Sequence, residues 1–295
     1  MSYRRAGRFD QIKTYTGQCF RIAKNEKQWK FIVSTFLLMI IVAMVTEGGK
    51  EGMFQNFAPT QNGLFVVMCG CVWVGIFNSI QSICKERDII KKEKQTGLHI
   101  SSYVMAHVNY EFFLCLAEAI VVMIVLVVKN HKYLPDEGII MFPLLEMFLS
   151  FFLVLFTSDM LALLISCIVK SPTVAMTVMP FVLIMQLVFA DVVIALSDNM
   201  KKVADYTIVK WGMQSLQVIA DTKDSVRDTA WDLTKDVLFD MEKNEAVFQL
   251  KDLKELHLLP KSGNLLEAWG MMLLFSAIYI ILAILFLKQV SRDKR

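Results

Sequence analysis

The chain has 295 residues, of which 55% are apolar and 20% are charged, and its mean hydropathy is +0.49. One or two soluble cores could not bury this much apolar surface, so the composition predicts an integral membrane protein. The 31 Lys and Arg residues nearly balance the 28 Asp and Glu residues, and a net charge of +3 does not favour nucleic-acid binding. Disordered, collagen-like and disulfide-rich classes are also excluded.

Six apolar stretches approach the length that a helix needs to cross hydrocarbon, about 20 residues. They predict an all-α polytopic fold with a cytoplasmic N-terminus (1–30), five spans (31–196), an outer segment (197–266) and a last span with its tail (267–295). The predicted spans are Phe31 to Thr46, Gly63 to Ile83, Val104 to Val128, Ile139 to Val169, Thr173 to Leu196 and Ala268 to Leu287.

Basic residues in the short connections lie mainly on one side of the predicted membrane. Eight Lys and Arg residues precede the first span, five follow the second and four lie in the C-terminal tail, whereas the other side has Lys50, Lys129 and Lys132. Because Lys and Arg in short loops resist translocation, both termini are predicted to be cytoplasmic. The expected location is the cell (plasma) membrane.

Two segments outside the spans are predicted to form cytoplasmic helices. Residues 9–25 place apolar side chains on one arc and charged ones on the other, which predicts a helix on the inner leaflet or against a cytoplasmic protein. Residues 84–103 carry five basic and three acidic side chains, and their helix is expected to end at Gly97. This loop is either a positive-inside anchor or a lever that another protein pushes.

The outer segment has a helical pattern of its own. Val209, Met213, Leu216 and Ala220 recur at helical spacing, and many Asp and Lys residues lie elsewhere in 197–266. This pattern predicts a small extracellular helical cap with solvent-exposed faces.

Motifs for catalysis and metal binding are missing from the sequence. Gly48-Gly49-Lys50 lacks the strand, the spacing and the hydroxyl residue of a phosphate-binding loop, so the chain is not expected to hydrolyse ATP. The four histidines are scattered, and neither a zinc motif nor a serine-hydrolase motif occurs. We therefore expect no catalytic residue, no metal and no cofactor bound by this chain.

Acidic residues inside the predicted spans are better candidates for functional residues than any of these motifs. An ionisable group in hydrocarbon is costly and usually faces a partner or a cavity. A rise of about 1.5 Å per residue from the cytoplasmic end places Asp159 roughly 14 Å, Glu118 roughly 20 Å and Asp191 roughly 28 Å deep. Asp159 and Asp191 are too far apart for an aspartyl dyad. Glu118 and Asp159 could form a structural hydrogen-bonding pair, a conformational relay or a substrate contact.

The stretch from Phe77 to Glu111 holds a characteristic order of residues: Asn78, Glu86, Arg87, Glu93, Gly97, Ser102, Tyr103 and Ala106. This order resembles the cytoplasmic loop of type 2 ABC exporter permeases of the white-subfamily-like branch, which touches the ATPase. His107 stands where that family usually has Lys.

A second stretch, Met179 to Leu216, is similar to the fifth helix and the following outer segment of the same family. The matching residues are Pro180, Gln186, Phe189 and Trp211. Asp191 departs from the family pattern, in which this position is usually small. We interpret its charge as the mark of a specialised outer gate or substrate exit.

The resemblance implies six spans per subunit, an N-terminal connecting helix, and two permease subunits, identical or different, around a central path. It also implies a separate nucleotide-binding ATPase subunit, with ATP and Mg²⁺, which docks on residues 85–103 and drives alternating access. The residues expected to couple to it are Glu86, Arg87, Glu93, Gly97 and Tyr103. Those expected along the path are Asn78, Gln186 and Asp191, with Glu118 and Asp159 as a polar relay.

Two other classes stay open at this point. One is a polytopic membrane enzyme, a protease or a lipid-modifying enzyme, that uses Asp159 and Glu118, although the missing motifs count against it. The other is an accessory membrane protein that anchors or senses. A lipid, a peptide, a drug or a polysaccharide would each be compatible with an exporter.

Overall fold

The structure is a computed structural model and describes residues 7–45, 53–55, 57–135, 137–189, 202–220 and 262–290. These residues form helices and the turns that join them, and no strand occurs among them. The helices are α1 (Arg8–Asn25), α2 (Trp29–Val45), α3 (Phe57–Ser79), α4 (Ser82–Lys85), α5 (Arg87–Gln95), α6 (Ile100–Asn130), α7 (Pro143–Ile168), α8 (Pro172–Val188), α9 (Ile208–Ala220) and α10 (Ser262–Val290).

Four helical stretches of the described chain are long and apolar enough to cross a membrane: Pro59–Lys85, Ile100–Asn130, Pro143–Ile168 and Ser262–Gln289. A fifth is reached if α1 and α2, which are bent by 65° relative to each other, count as one broken span. α8 is a shorter apolar helix of 17 residues at the place of the fifth predicted span. The all-helical membrane fold is confirmed, and the count of six spans stays a prediction.

The bend between α1 and α2 lies at residues 26–28. Lys27 has a φ of 56°, in the left-handed region, and this conformation lets the chain change direction. α1 packs along α6, where the Tyr110 hydroxyl donates to Gln28 Oε1 at 2.7 Å and the Tyr110 ring meets Phe20 edge to face at 5.2 Å. No residue of α1 is buried, as expected for a helix that lies on a surface. The predicted N-terminal helix is therefore confirmed.

The contact between α3 and α7 forms the centre of the fold, and α9 and α10 pack beside it. Gly75 permits the close approach of these two helices. A Cβ atom at this position would lie 2.6 Å from the Leu155 carbonyl oxygen and 2.9 Å from Ser158 Cβ. Because apolar surface gains little by leaving lipid, close backbone packing supplies the dispersion contacts that hold such helices together.

Two polar pairs join α7 to α10 inside the apolar core. The Trp269 indole nitrogen donates to Ser150 Oγ at 2.9 Å, and the hydroxyls of Thr157 and Ser276 share a hydrogen bond of 2.9 Å. All four side chains are buried. Hydrogen bonds across helices satisfy polar groups that lipid would leave unpaired, so these pairs fix the register of α10 on α7.

α9 corrects one expectation about the outer segment. The helical pattern of residues 209–220 is confirmed, but the predicted solvent exposure is wrong for this stretch, because nearly every side chain of α9 is buried against α3, α7 and α10. Gly212 lies at the tightest point, where a Cβ would be 2.7 Å from Val154 and 2.8 Å from Met68. The charged remainder of the outer segment, 221–261, lies outside the described residues.

Glu146 has a structural task at the start of α7. The predicted span begins at Ile139, but the helix begins at Pro143, and the residues between them fold back over the helix start. Glu146 Oε1 accepts hydrogen bonds from the backbone N–H groups of Ile139, Ile140 and Met141 at 2.5 to 3.0 Å. The buried carboxylate thereby satisfies three backbone donors that lie outside the helix.

The close approach at Gly75 predicts a selective sensitivity to a single methyl group. The Gly75→Ala variant places that methyl against a backbone carbonyl that cannot move aside, and we expect a loss of about 1–3 kcal/mol. Gly270→Ala is the matched control, because no atom lies within 4 Å of a Cβ there. Thermal melting of both variants in detergent measures the effect, and equal melting temperatures would contradict the packing assignment.

The carboxylate of Glu146 predicts a second stability effect. Glu146→Gln turns Oε2, which also accepts from the Ile139 backbone N–H at 3.1 Å, into an amide donor, and it removes the charge that strengthens the hydrogen bonds to Oε1, at a cost of about 1–3 kcal/mol. The exposed Glu137 provides a control through Glu137→Gln. A lower melting temperature for the Glu146 variant alone is the expected result, and the same shift in both variants would refute a specific role.

Candidate functional site around helix α5

α5 is a short charged helix between the stretches that contain α3 and α6. Ile90 is its buried residue and packs in a small apolar cluster with Ile83 and Val104. Gly97 follows the helix with a φ of 110°, a conformation that glycine adopts without strain, and the chain turns there into α6. The loop contains a helix that ends near Gly97, and its cytoplasmic location and its role in coupling stay predictions.

α1 holds one end of the α5 segment through two polar side chains. The Gln11 amide donates to the Gly97 carbonyl at 3.3 Å and accepts from the His99 backbone N–H at 2.9 Å. The Tyr15 hydroxyl donates to Glu93 Oε2 at 3.0 Å. Burial and the neighbouring Glu93 raise the pKa of Tyr15 to about 12, so this hydroxyl keeps its proton at neutral pH.

α6 contacts α5 through Tyr103 and His107. The Tyr103 hydroxyl donates to Glu86 Oε2, and His107 Nε2 lies 3.9 Å from the same oxygen. The rings of Tyr15 and Tyr103 meet edge to face at 5.8 Å, which joins the α1 and α6 contacts. Burial raises the pKa of the Glu86 carboxyl above its ordinary value, and the hydrogen bond from Tyr103 opposes that rise.

α7 contacts the third side of this segment. Arg87 Nη1 donates to the carbonyl of Val169, the residue that caps the C-terminus of α7. Ser166 Oγ accepts from the backbone N–H groups of Ile83 and Cys84, each at 3.1 Å. Since a helix C-terminus leaves carbonyls unpaired and favours positive charge, Arg87 is well suited to this position.

The inner and outer faces of α5 therefore carry different residues. The partly buried Glu86, Arg87 and Glu93, which we expected to couple to an ATPase, each bond to another helix of the same chain. Asp88 and Lys92 lie on the exposed face, four residues apart and thus on one side of the helix. A protein that docks on α5 meets the exposed pair first.

Two of the buried acids bind residues on neighbouring helices. Glu118 accepts hydrogen bonds from Thr35 of α2 at 3.2 Å and from Asn78 of α3 at 2.8 Å. Asp159 of α7 accepts from the Cys115 thiol of α6 at 3.3 Å. The structure thus places the predicted pair, Glu118 and Asp159, in one polar region, with Cys115 as a link between their helices.

Glu111 belongs to the same polar region, although the sequence analysis gave it no role. It is buried on α6 beside Asp159 and Ser79. A spacing of seven residues separates Glu111 from Glu118, which places both on one face of the helix. That spacing was the signal that could have identified it.

The residues predicted along a central path have separate positions. Asn78 lies beside Glu118, as described above, whereas Gln186 Oε1 accepts from the backbone N–H of Ile208 at 2.9 Å and so caps the start of α9. Asp191 lies outside the described residues. Within the described chain, no group of three or more His, Cys, Asp or Glu side chains could hold a metal ion.

Comparison with known proteins decides the family. The sequence profile described as ABC-2 type transporter matches residues 11–220, which include most of α1 and all of α2 to α9. This chain belongs to the ABC-2 type transporter family. An ABC transporter ATP-binding/permease protein of Mycobacterium tuberculosis is 29% identical over 224 residues, which are 72% of this chain and 26% of that protein. The chain therefore spans about a quarter of that relative's length.

The ABC-2 assignment confirms the resemblance seen in the sequence and identifies the chain as a membrane component of a transporter. The matched region contains the α5 segment together with the parts of α1, α6 and α7 that hold it. In this ABC-2 chain, one of the two stretches in which the sequence resembles the family thus contains a segment that contacts three other helices.

The contact between Tyr103 and Glu86 predicts a pH-dependent effect on stability. The raised pKa of Glu86 means that folding favours the protonated carboxyl, so this contribution is present in acid and is lost as the pH rises through the folded-state pKa. Tyr103→Phe removes the hydrogen bond that lowers the pKa of Glu86. The stability lost at higher pH should therefore grow by about 1–2 kcal/mol.

The melting temperatures of the wild type and Tyr103→Phe should therefore differ clearly near pH 8 and converge near about pH 4. Tyr206→Phe is the control, because the Tyr206 side chain is 75% exposed. A Tyr103 effect of equal size at both pH values would show that the hydroxyl does not act on Glu86.

Proposed function

We propose that the chain is the permease subunit of an ATP-binding cassette exporter that moves its substrate by alternating access. Two such subunits, each with six spans and with both termini in the cytoplasm of a cell (plasma) membrane, would enclose the path. A separate ATPase subunit would bind ATP and Mg²⁺. The observation that carries this proposal is the attachment of α5 to three helices of an ABC-2 chain.

A force on α5 would reach several helices at once. Tyr15 and Gln11 would pass it to α1, Tyr103 to α6 and Arg87 to the end of α7. Because α7 ends just before α8, a shift at Val169 would also move the start of α8. Rigid helices that move against a packed neighbour are a common route from a local change to a global one.

The polar stripe of α6 extends the same route toward the membrane interior. It consists of residues spaced three or four apart on one side of the helix: Tyr103, His107, Glu111, Cys115 and Glu118. Its inner end meets α2 and α3 at Glu118 and α7 at Asp159. We assign Glu118 and Asp159 to a relay that couples α5 to these helices.

The outer end of the path is proposed to lie near α8 and α9. Gln186 joins these two helices through the N-terminus of α9, so a movement of α8 would carry the buried α9 with it. Asn78 would line the inner part of the path and Asp191 the outer gate. A relative whose name combines ATP-binding and permease supports the pairing with an ATPase.

Two double variants separate docking from coupling. Asp88→Lys with Lys92→Glu changes the exposed face of α5, whereas Glu86→Gln with Arg87→Gln removes contacts inside the chain. We expect the first pair to weaken ATPase binding about tenfold, the effect of 1.4 kcal/mol. The second pair should retain binding but lose the substrate-stimulated ATP turnover of the reconstituted complex.

The test of α5 has a control variant and a result that would contradict the proposal. Lys13→Glu changes a charge on α1 outside these contacts and should leave both readouts unchanged. If both double variants transport normally with full stimulated ATP turnover, the role of α5 is wrong. Turnover of a substrate by the purified chain without any ATPase would instead support a membrane enzyme.

A further inference from the structure

A cavity of about 570 Å³ lies between the bend of α1 and α2, the end of α3, the α4–α5 segment and α6. Sites for small molecules commonly measure about 300–1,000 Å³, so the space suits a ligand of that size. It is lined by described residues of one chain, and Asn78, which we place on the proposed path, is one of them. The charged residues of the lining indicate the class of ligand.

The wall of this cavity carries equal numbers of opposite charges. Its three ammonium groups belong to Lys27, Lys30 and Lys85, and its three carboxyl groups to Glu26, Glu86 and Glu111. Ion pairs found within the described part of the chain do not include these lysines. The formal charge of the lining is thus zero, with separate positive and negative groups.

The cavity also has an apolar part. Phe31, at the start of α2, and Leu114, one turn deeper on α6 than Tyr110, contribute apolar surface to it. Trp29 lies next to this region and is 59% exposed, as expected for an indole at the membrane–water boundary. A ligand in the cavity can therefore combine a polar head with a tail in hydrocarbon.

Two polar side chains of the cavity wall each have one atom without a hydrogen-bond partner among the described residues. Glu111 Oε2 and His107 Nε2 have no partner among the described residues, and the two side chains are only 2% and 5% exposed. Leaving a buried polar atom unpaired costs free energy. A ligand with hydrogen-bonding groups could give these two atoms partners.

We propose that this cavity binds the headgroup of a zwitterionic phospholipid that carries a primary ammonium group. Its phosphate would lie near the lysines, as in other basic lipid sites, and its ammonium near the carboxyl groups, while its acyl chains pass Phe31 and Leu114. An anionic lipid would match the lysines but would bring no positive group to the carboxyl groups of Glu26, Glu86 and Glu111. The site is independent of the proposed export, since a bound lipid can stabilise the chain without being moved.

The test is lipid binding to the purified full chain in detergent, measured by native mass spectrometry with three probes. These are dioleoyl phosphatidylethanolamine, dioleoyl phosphatidylglycerol and dioleoylglycerol. We expect phosphatidylethanolamine to bind about tenfold more tightly than either of the others. Equal or tighter binding of phosphatidylglycerol would overturn the proposed preference for a zwitterionic headgroup. Equal binding of dioleoylglycerol would overturn the proposal that the cavity recognises a headgroup at all.

Variants locate the site. Lys27→Glu with Lys30→Glu should weaken phosphatidylethanolamine binding about tenfold, whereas Lys24→Glu, in the last turn of α1 and outside the cavity, should not. Ile22→Trp fills the cavity without a change of charge and should weaken binding to a similar extent. Elution volume and melting temperature establish that each variant is folded, and wild-type binding by the folded cavity variants would overturn this location.

Discussion

Inside a membrane, a polar side chain without a partner costs free energy, and this constraint organises the chain. Glu118 meets it by accepting hydrogen bonds from Thr35 and Asn78, which places α2, α3 and α6 around one carboxyl group. Asp159 meets it through the Cys115 thiol, which adds α7. Because water is excluded there, a shift of one of these helices would leave a polar group unpaired, so the helices are coupled through their polar contacts.

Polar contacts between helices also hold α5 in place. A charged helix on the membrane surface could be held by lipid alone, but here Tyr15, Tyr103 and Arg87 fasten it to α1, α6 and α7. Its exposed face stays available to a partner, while its inner face belongs to the transporter. Our proposal for this ABC-2 chain depends on that division, because it would let one short helix both receive a force and pass it to three others.

Part of this site could be predicted from the sequence, because it depends on residues that are close together in the chain. The end of α5 at Gly97 follows from the glycine itself, because few other residues adopt its φ. The roles of Gln11 and Tyr15 were not predictable, since their partners lie 78 to 88 residues away in the chain. Gln186 was expected on a path, yet its amide caps α9, a contact that depends on how the two helices meet.

Composition, hydropathy and charge pattern by themselves determined the membrane class, the helical fold and the loop at 84–103. These properties depend on local periodicity and on transfer free energies, which each segment carries with it. Only the tertiary structure decided that α9 is buried, that Glu146 holds a loop, and that Glu111 joins the buried acids. Each of these depends on which helices become neighbours, and packing between distant segments is not a property of any one of them.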